Sequence, residues 1–314
     1  MPPSEQAPPL DVVPEVTTLS EAVRRAADML RAAGLDEPLS EARWLVAAAA
    51  GLQAVDLLVR GACALDAETA ARVADFSRRR AAREPLSRII GHRAFYGRDF
   101  ALSPGTLDPR PDTEVLIDLA LELLDAQGGR QRPLSILDVG TGSGAILVTL
   151  LAELPHAAGI GIDISDDALV TAAGNAARHG ISERTHFLRH DVTHGVLPPD
   201  EIAAGRQFDL IVSNPPYIPT EDVTRLEPEV RLHDPHAALD GGLDGLDFYR
   251  VLASALPLLG GGGWLVVEVG AGQAEEVARL LLDTAPGATL RHALDLAGHT
   301  RAVAVQPRRL PGCE

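Results

Sequence analysis

The sequence predicts an α/β protein: a doubly wound parallel sheet preceded by a small helical domain and a short β-hairpin linker. Three observations carry this. Beyond about residue 112, short apolar runs alternate with stretches of helical spacing, the pattern of a parallel sheet covered on both faces. One of those runs, Ile136 to Val139, leads straight into Gly140-Thr141-Gly142-Ser143-Gly144 and then into an apolar helix. The first part of the chain shows helical period with no strand-like run.

Taken in order, residues 1–17 are rich in Pro and Glu and lack both a basic start and an apolar core, so a disordered tail is expected there rather than a signal peptide. Residues 18–83 form the helical domain. Thr18-Leu19-Ser20-Glu21 is a capping box, Ala22, Val23, Ala26 and Leu30 follow at helical spacing, and Gly34 closes the helix. Further helices are expected from Ser40 to Ala50, with Trp44 in the core, and from Asp66 to Arg80. The cluster Arg78-Arg79-Arg80 with Arg83 is expected to be a solvated helix end, where positive charge favours the dipole. Residues 84–111 alternate Gly, Pro and aromatics and suggest the hairpin linker. The domain of residues 112–309 follows. Its strands are expected at 136–139, 158–162, 185–190, 208–213 and 264–269, with a terminal antiparallel pair around 288–290 and 302–305.

At 314 residues with 46% hydrophobic and 23% charged side chains, the chain can bury a sizeable core in two domains. No segment is apolar enough to span a membrane; Leu45 to Val59 is broken by Gln53 and Asp56. Cys63 and Cys313 are too few for a disulfide framework or zinc site, and free thiols in a reducing cytoplasm are expected. The net charge of −16 argues against a nucleic-acid partner, which calls for a basic stripe, and favours a basic protein partner. No metal-ligand spacing is present among the ten histidines.

The glycine loop alone is ambiguous, since Gly140 to Ala145 also fits a dinucleotide fingerprint. Acidic or amide residues at four successive strand ends decide it. Asp138, two residues before Gly140, can order the loop and lie near a cationic amino-acid group. Asp163 is placed to accept from ribose hydroxyls. Asp191 can accept from an adenine amino group, with Val192 against the ring. Asn214 opens Asn214-Pro215-Pro216-Tyr217. Together these point to S-adenosyl-L-methionine, with S-adenosyl-L-homocysteine as product. Asp166, Asp167 and Asp209 are read as ordinary helix caps and turn residues. In Asn214 to Tyr217, the prolines remove two backbone donors, the Asn214 side chain adds an acceptor, and Tyr217 adds a flat wall. Two acceptors and a wall suit a planar group carrying NH2.

These motifs, together with Arg83-Glu84-Pro85-Leu86, Phe95-Tyr96-Gly97, Asp108 to Glu114 and Ala238-Leu239-Asp240-Gly241-Gly242, resemble the HemK/PrmC-type protein-(glutamine-N5) methyltransferases over about residues 83–305. Asp234-Pro235, where that family usually has Glu-Pro, and Asp108, where an apolar residue is more usual, depart from its pattern. The resemblance implies a class I methyltransferase fold, a substrate-recognition role for residues 18–83, and methylation of the glutamine in the Gly-Gly-Gln loop of class I peptide chain release factors, in support of translation termination. It implies catalytic roles for Asn214, Pro215, Pro216 and Tyr217, and donor binding by Asp138, Gly140, Thr141, Gly142, Ser143, Gly144, Asp163, Asp191, Val192 and Asn214. A cytoplasmic monomer is expected. Residues 221–247, with eight acids and two arginines, are expected to dock the basic protein substrate. The main alternative is an amino methyltransferase acting on a nucleic-acid base, which uses the same acceptor logic. A non-catalytic module and a nicotinamide dehydrogenase leave Asn214 to Tyr217 unexplained.

Overall fold

The computed structural model describes residues 18–308, so the tail expected over residues 1–17 and the thiol of Cys313 lie outside the described residues. The chain divides into two compact units after Ile90.

The first unit holds α1 (Leu19–Ala32), α2 (Pro38–Ala50), α3 (Asp56–Arg60), α4 (Ala67–Ala81) and α5 (Leu86–Ile90). The Thr18 hydroxyl accepts the Glu21 N–H at 3.2 Å, capping α1, and Leu19, Ala22, Val23, Ala26, Ala27 and Leu30 face the core. Three expectations are corrected here. Trp44 is 47% exposed, because α2 buries the face carrying Ala42, Leu45, Val46 and Ala49 and Trp44 lies off it. Arg80 is not a solvated end: it is 7% exposed and its Nε donates to Glu41 Oε2 at 2.6 Å, while Arg79 pairs with Glu84. Residues 86–90, expected within the hairpin linker, form α5.

In the second unit, β1 (His92–Phe95) and β2 (Arg98–Ala101) form an antiparallel hairpin. Tyr96 and Gly97 take φ of 49° and 69°, the left-handed pair that suits the twist of a two-residue turn. The sheet domain then runs α6 (Glu114–Asp125), β3 (Leu134–Val139), α7 (Ala145–Glu153), β4 (Ala157–Asp163), α8 (Asp166–Arg178), β5 (Thr185–Arg189), α9 (Pro199–Ala203), β6 (Phe208–Ser213), α10 (Thr220–Val223), α11 (Pro228–His233), α12 (Asp247–Ala253), β7 (Leu259–Glu268), α13 (Ala274–Thr284), β8 (Thr289–Leu294) and β9 (Thr300–Gln306).

The seven strands lie in the order β5-β4-β3-β6-β7-β9-β8, parallel through β7, with β9 antiparallel to both neighbours. Two apolar clusters cover the two faces: Leu116, Ile117, Leu147 and Val148 pack on one side, Tyr249, Leu252, Val277 and Leu281 on the other. The order reverses between β3 and β6, and a crevice opens beyond the carboxyl ends of the strands at such a switch point. Asp209 is corrected as well. It sits within β6, not at a turn or cap, and accepts from Arg132 Nη1 at 2.7 Å and the Ser135 N–H at 2.8 Å, tying β6 to the start of β3. Among the described residues no helix is long and apolar enough to cross a membrane.

Candidate active site

At the end of β3 the chain turns through the glycine loop into α7. Gly140 and Gly142 take φ of 73° and 54°, which only glycine adopts freely, and a Cβ on either would meet open space instead of protein. The loop therefore presents bare backbone to the crevice. Gly144 differs: a Cβ there would come 3.1 Å from Ala172 Cβ, so this glycine lets α7 lie close on α8. Asp138 is fully buried beneath the loop. The Thr141 hydroxyl donates to its Oδ2 at 2.7 Å, and Oδ1 has no hydrogen-bond partner among the described residues. Burial pushes its carboxyl up to about 7, against the pull of the Thr141 hydroxyl.

Asp163 ends β4 beside the loop. Its Oδ2 accepts the Gly142 N–H and its Oδ1 the Ser165 N–H, both at 2.9 Å, which fixes the carboxylate and leaves each oxygen a further lone pair. Burial raises its pKa despite these donors. Asn175 of α8 completes the support. It is fully buried, donates to Ser143 O at 2.8 Å and Ala101 O at 3.0 Å, and accepts the Ala101 N–H at 2.9 Å, joining the loop to β2. After β5, Asp191 caps a short 3-10 turn, accepting from the Thr193 N–H and hydroxyl, and these bonds hold its carboxyl below the usual range. Val192 follows it.

Asn214 stands just past β6. Its Nδ2 donates to Thr113 Oγ1 at 3.2 Å, and its Oδ1 has no hydrogen-bond partner among the described residues. Among the described residues the Pro215 carbonyl accepts no backbone hydrogen bond. Gln273 Nε2 donates to the Tyr217 carbonyl at 2.9 Å and anchors the end of the motif. Burial, with the nearby Glu268 charge, pushes the Tyr217 phenol up to about 12.

One cavity of about 500 Å³ unites most of these residues. Gly140, Thr141, Gly142, Ser143, Asp163, Asp191, Val192, Asn214, Pro215 and Pro216 line it; Asp138, Gly144 and Tyr217 stand behind its wall. The reading of the sequence left out other parts of that wall: Phe95 from the hairpin, Leu107 and Pro109, Thr113, Pro235 and Ala238, and Phe248 of α12. The sole sequence signal for Glu268, which the β6–β7 register sets beside Asn214, was a lone acid ending an apolar run.

The segment 221–247 is also more structured than a docking loop. It contains α10 and α11, and Asp222, Asp234, Asp244 and Asp247 pair with arginines while Asp240 accepts from Thr220. Most of its negative charge is thus engaged inside the molecule.

A family model for the PrmC N-terminal domain matches residues 21–91, and one for a methyltransferase domain matches residues 131–251. A release factor glutamine methyltransferase of Bradyrhizobium diazoefficiens is 45% identical over 94% of this chain and 96% of its own length. The chain belongs to the release factor glutamine methyltransferase family. Another member, from Rhodospirillum rubrum, is 45% identical over 87% of this chain and 80% of its own. At the level of fold, this chain is similar to the hMettl16 catalytic domain, solved with a MAT2A 3′UTR hairpin, with TM-score 0.52 and 17% identity over 75% of this chain and 83% of that one.

Proposed function

We propose that this protein transfers a methyl group from S-adenosyl-L-methionine to the side-chain amide nitrogen of the glutamine in the Gly-Gly-Gln loop of class I peptide chain release factors, acting as a cytoplasmic monomer. The observation that carries this reading is the polarity of Asn214: its NH2 is turned to Thr113, so its oxygen is the group left to face the cavity. An acceptor there, beside the unused Pro215 carbonyl, fits a substrate NH2. The names of the relatives support the choice of a release factor glutamine as that substrate.

The cavity fits the donor. Bare backbone at Gly140 and Gly142, the fixed carboxylate of Asp163, the rim carboxylate of Asp191 and the orphaned Oδ1 of the buried Asp138 are a donor set for an adenosyl group carrying an amino acid. S-adenosyl-L-methionine supplies an electrophilic methyl on a sulfonium. The residues of the chain do the rest. Asp163 would hold the ribose hydroxyls, Asp191 and Val192 would hold the adenine, and Gly140 to Ser143 would let the ligand approach the backbone. Asp138 holds the loop through Thr141. Asn214 Oδ1 and the Pro215 carbonyl accept the two amide hydrogens of the substrate. That aims the nitrogen lone pair along the transfer axis and favours its pyramidal, developing-cation form. Alignment of this kind supplies on the order of 7–11 kcal/mol of a barrier. No strong base is required beforehand, because the proton of the N-methylated amide nitrogen leaves readily to water after transfer. Tyr217 stiffens the motif from behind.

The test is methyl transfer from labelled S-adenosyl-L-methionine to a purified class I release factor and to its Gln→Ala loop variant. Label on the normal factor alone, with a methyl mass increment on the loop peptide, is expected. Label on tRNA or rRNA instead would overturn the reading.

A further inference from the structure

The segment from β2 to Gly105 runs back along α8, and side chains of that helix hold it at three points. At the end of α8, Arg178 Nη1 donates to Asp99 Oδ2 and His179 Nε2 donates to the Asp99 carbonyl, both at 2.9 Å. One turn earlier, Asn175 binds both backbone groups of Ala101. In the first turn of the helix, Asp167 Oδ2 accepts the Gly105 N–H at 2.7 Å, across 62 positions of sequence. Asp167 is not the helix cap. Ser165 is, its hydroxyl accepting the Ala168 N–H at 3.2 Å, so the Asp167 carboxylate serves the segment opposite instead of its own helix. A Cβ on Gly105 would come 2.6 Å from Asp167 Oδ2 and 2.9 Å from Ser165 Oγ, so the two segments meet with no room between them.

That contact sits on the wall of the donor cavity. Gly105 and Ser165 both line it, continued by Leu107 and Pro109 in the first segment and by Asp163 and Ile164 in the second. The turn that carries Gly105 is stiff. The buried Thr106 hydroxyl donates to the Ser103 carbonyl at 3.0 Å and accepts the Ser103 N–H at 3.1 Å. Fixing Gly105 therefore fixes the turn, and the turn sets where Leu107 and Pro109 enter the wall. On the other side the bonds continue inward: Asp163 Oδ1 accepts the Ser165 N–H, and its Oδ2 accepts the Gly142 N–H. We propose that Asp167 is a positioning residue of the donor site, which ties the wall segment 103–109 to the strand end carrying Asp163. This rests on the reading of the cavity as the S-adenosyl-L-methionine site.

A hydrogen bond to a carboxylate is stronger than one between neutral groups. Without it the turn keeps its internal bonds but loses its hold on α8, and the fraction of molecules with this wall in place falls. Apparent affinity for the donor falls by the same fraction. The acceptor takes its support elsewhere, since Asn214 is held by Thr113. The loss therefore falls on donor binding and spares the transfer step.

The variants are D167A, D167N and D166A. D167A removes the acceptor, and D167N keeps an oxygen that can accept the Gly105 N–H. D166A removes an equal charge from the same turn of helix, where Asp166 faces Arg189 at 3.4 Å, and leaves the tie in place. In D167A the Kd for S-adenosyl-L-homocysteine, read by calorimetry, should rise about fivefold, the scale of one exposed hydrogen bond to a charge. KM for the donor should rise with it, while kcat at saturating donor stays within about twofold of the wild type. D167N and D166A should keep donor affinity within about twofold. A readout that needs no ligand is the Gly105 amide proton in 1H–15N spectra. The carboxylate should hold it downfield in the wild type and in D166A, and D167A should move it upfield. A Gly105 signal unchanged in D167A would overturn the tie. A normal Kd in D167A beside a shifted signal would overturn its part in the donor site, as would a D166A that binds as weakly as D167A. Failure of the wild type to bind S-adenosyl-L-homocysteine would overturn the reading of the cavity alone, because the Gly105 signal judges the tie without it.

Discussion

Arg110 Nη2 donates to Asp234 Oδ2 at 2.6 Å, joining the segment before α6 to the segment after α11 across 124 positions of sequence. The Asp234 side chain is 1% exposed, so the pair holds Pro235 and Ala238 against the cavity. Asp234 is one of the two departures from the family pattern, and the other, Asp108, is also buried and lies 3.7 Å from Arg93. Each unusual acid has an arginine beside it. R110Q should therefore loosen this wall and raise KM for the protein substrate several-fold while leaving the Kd for S-adenosyl-L-methionine near normal; an equal loss of donor affinity, measured by calorimetry, would place the pair in the donor site instead.

Asn214→Ala removes the side-chain acceptor without touching the glycine loop. A site that reads hydrogen bonds rejects what it cannot pair. Turnover should fall by at least about 100-fold, with donor affinity changed by less than about threefold. Asp163→Ala should show the reverse order, with donor affinity weakening first. Equilibrium dialysis with labelled donor separates the two cases.

Asp138 predicts a pH dependence of stability in the ligand-free protein. Its folded pKa, about 7, lies above the ordinary 3.8, so the folded state holds the proton more tightly. The associated stabilisation is complete below the unfolded value and is lost as pH rises through about 7. Glu268 acts in the same sense. Urea midpoints should fall between about pH 5 and about pH 8, and D138N should remove roughly half of that fall. A D138N midpoint that declines as steeply as the wild type would show that the Asp138 carboxyl is already ionised at pH 5.

Glu221 and Glu227 make no ion pair among the described residues, unlike the engaged acids around them. If the acidic segment meets a basic release factor, these two carry the attraction. Changing both to Gln should raise KM at low salt and flatten its salt dependence. Identical KM values at low ionic strength would remove docking from this segment.

Arg80→Ala should destabilise the first unit by on the order of 3 kcal/mol, because Glu41 would be left partly buried without this partner. Thermal unfolding reads this directly, and a shift no larger than that of an exposed Arg43→Ala would contradict it.

The sheet was legible because its signals are local. Apolar runs such as Phe208 to Ser213 have strand length, and glycines at Gly140 and Gly142 mark a turn no other residue makes freely. The strand-end acids were legible because polar residues ending apolar runs fall on one edge of a parallel sheet. Trp44 and Arg80 were misplaced for the opposite reason: one turn of helix spacing decides which face is buried, and a buried arginine depends on Glu41, 39 positions away. The wall formed by Pro235, Ala238 and Phe248 was hidden too. Ala238 ends a 3-10 turn that follows Pro235, Phe248 sits on the short α12, and the wall is held by pairs such as Arg110 with Asp234, which no local pattern announces. Thr113 and Glu268 lie in segments that were noticed, but only the fold brings them to Asn214: Thr113 meets it across 101 positions of sequence, and the adjacency of β6 and β7 sets Glu268 beside it.

Asn175 binds Ser143 and Ala101 with a single side chain, so opening the glycine loop and opening the hairpin share part of their cost. Local openings that share a bond are not independent. A ligand that only touches the loop should then slow hydrogen exchange at the Ala101 amide, which lies off the cavity wall. The donor site would announce its occupancy in the hairpin, through one buried amide.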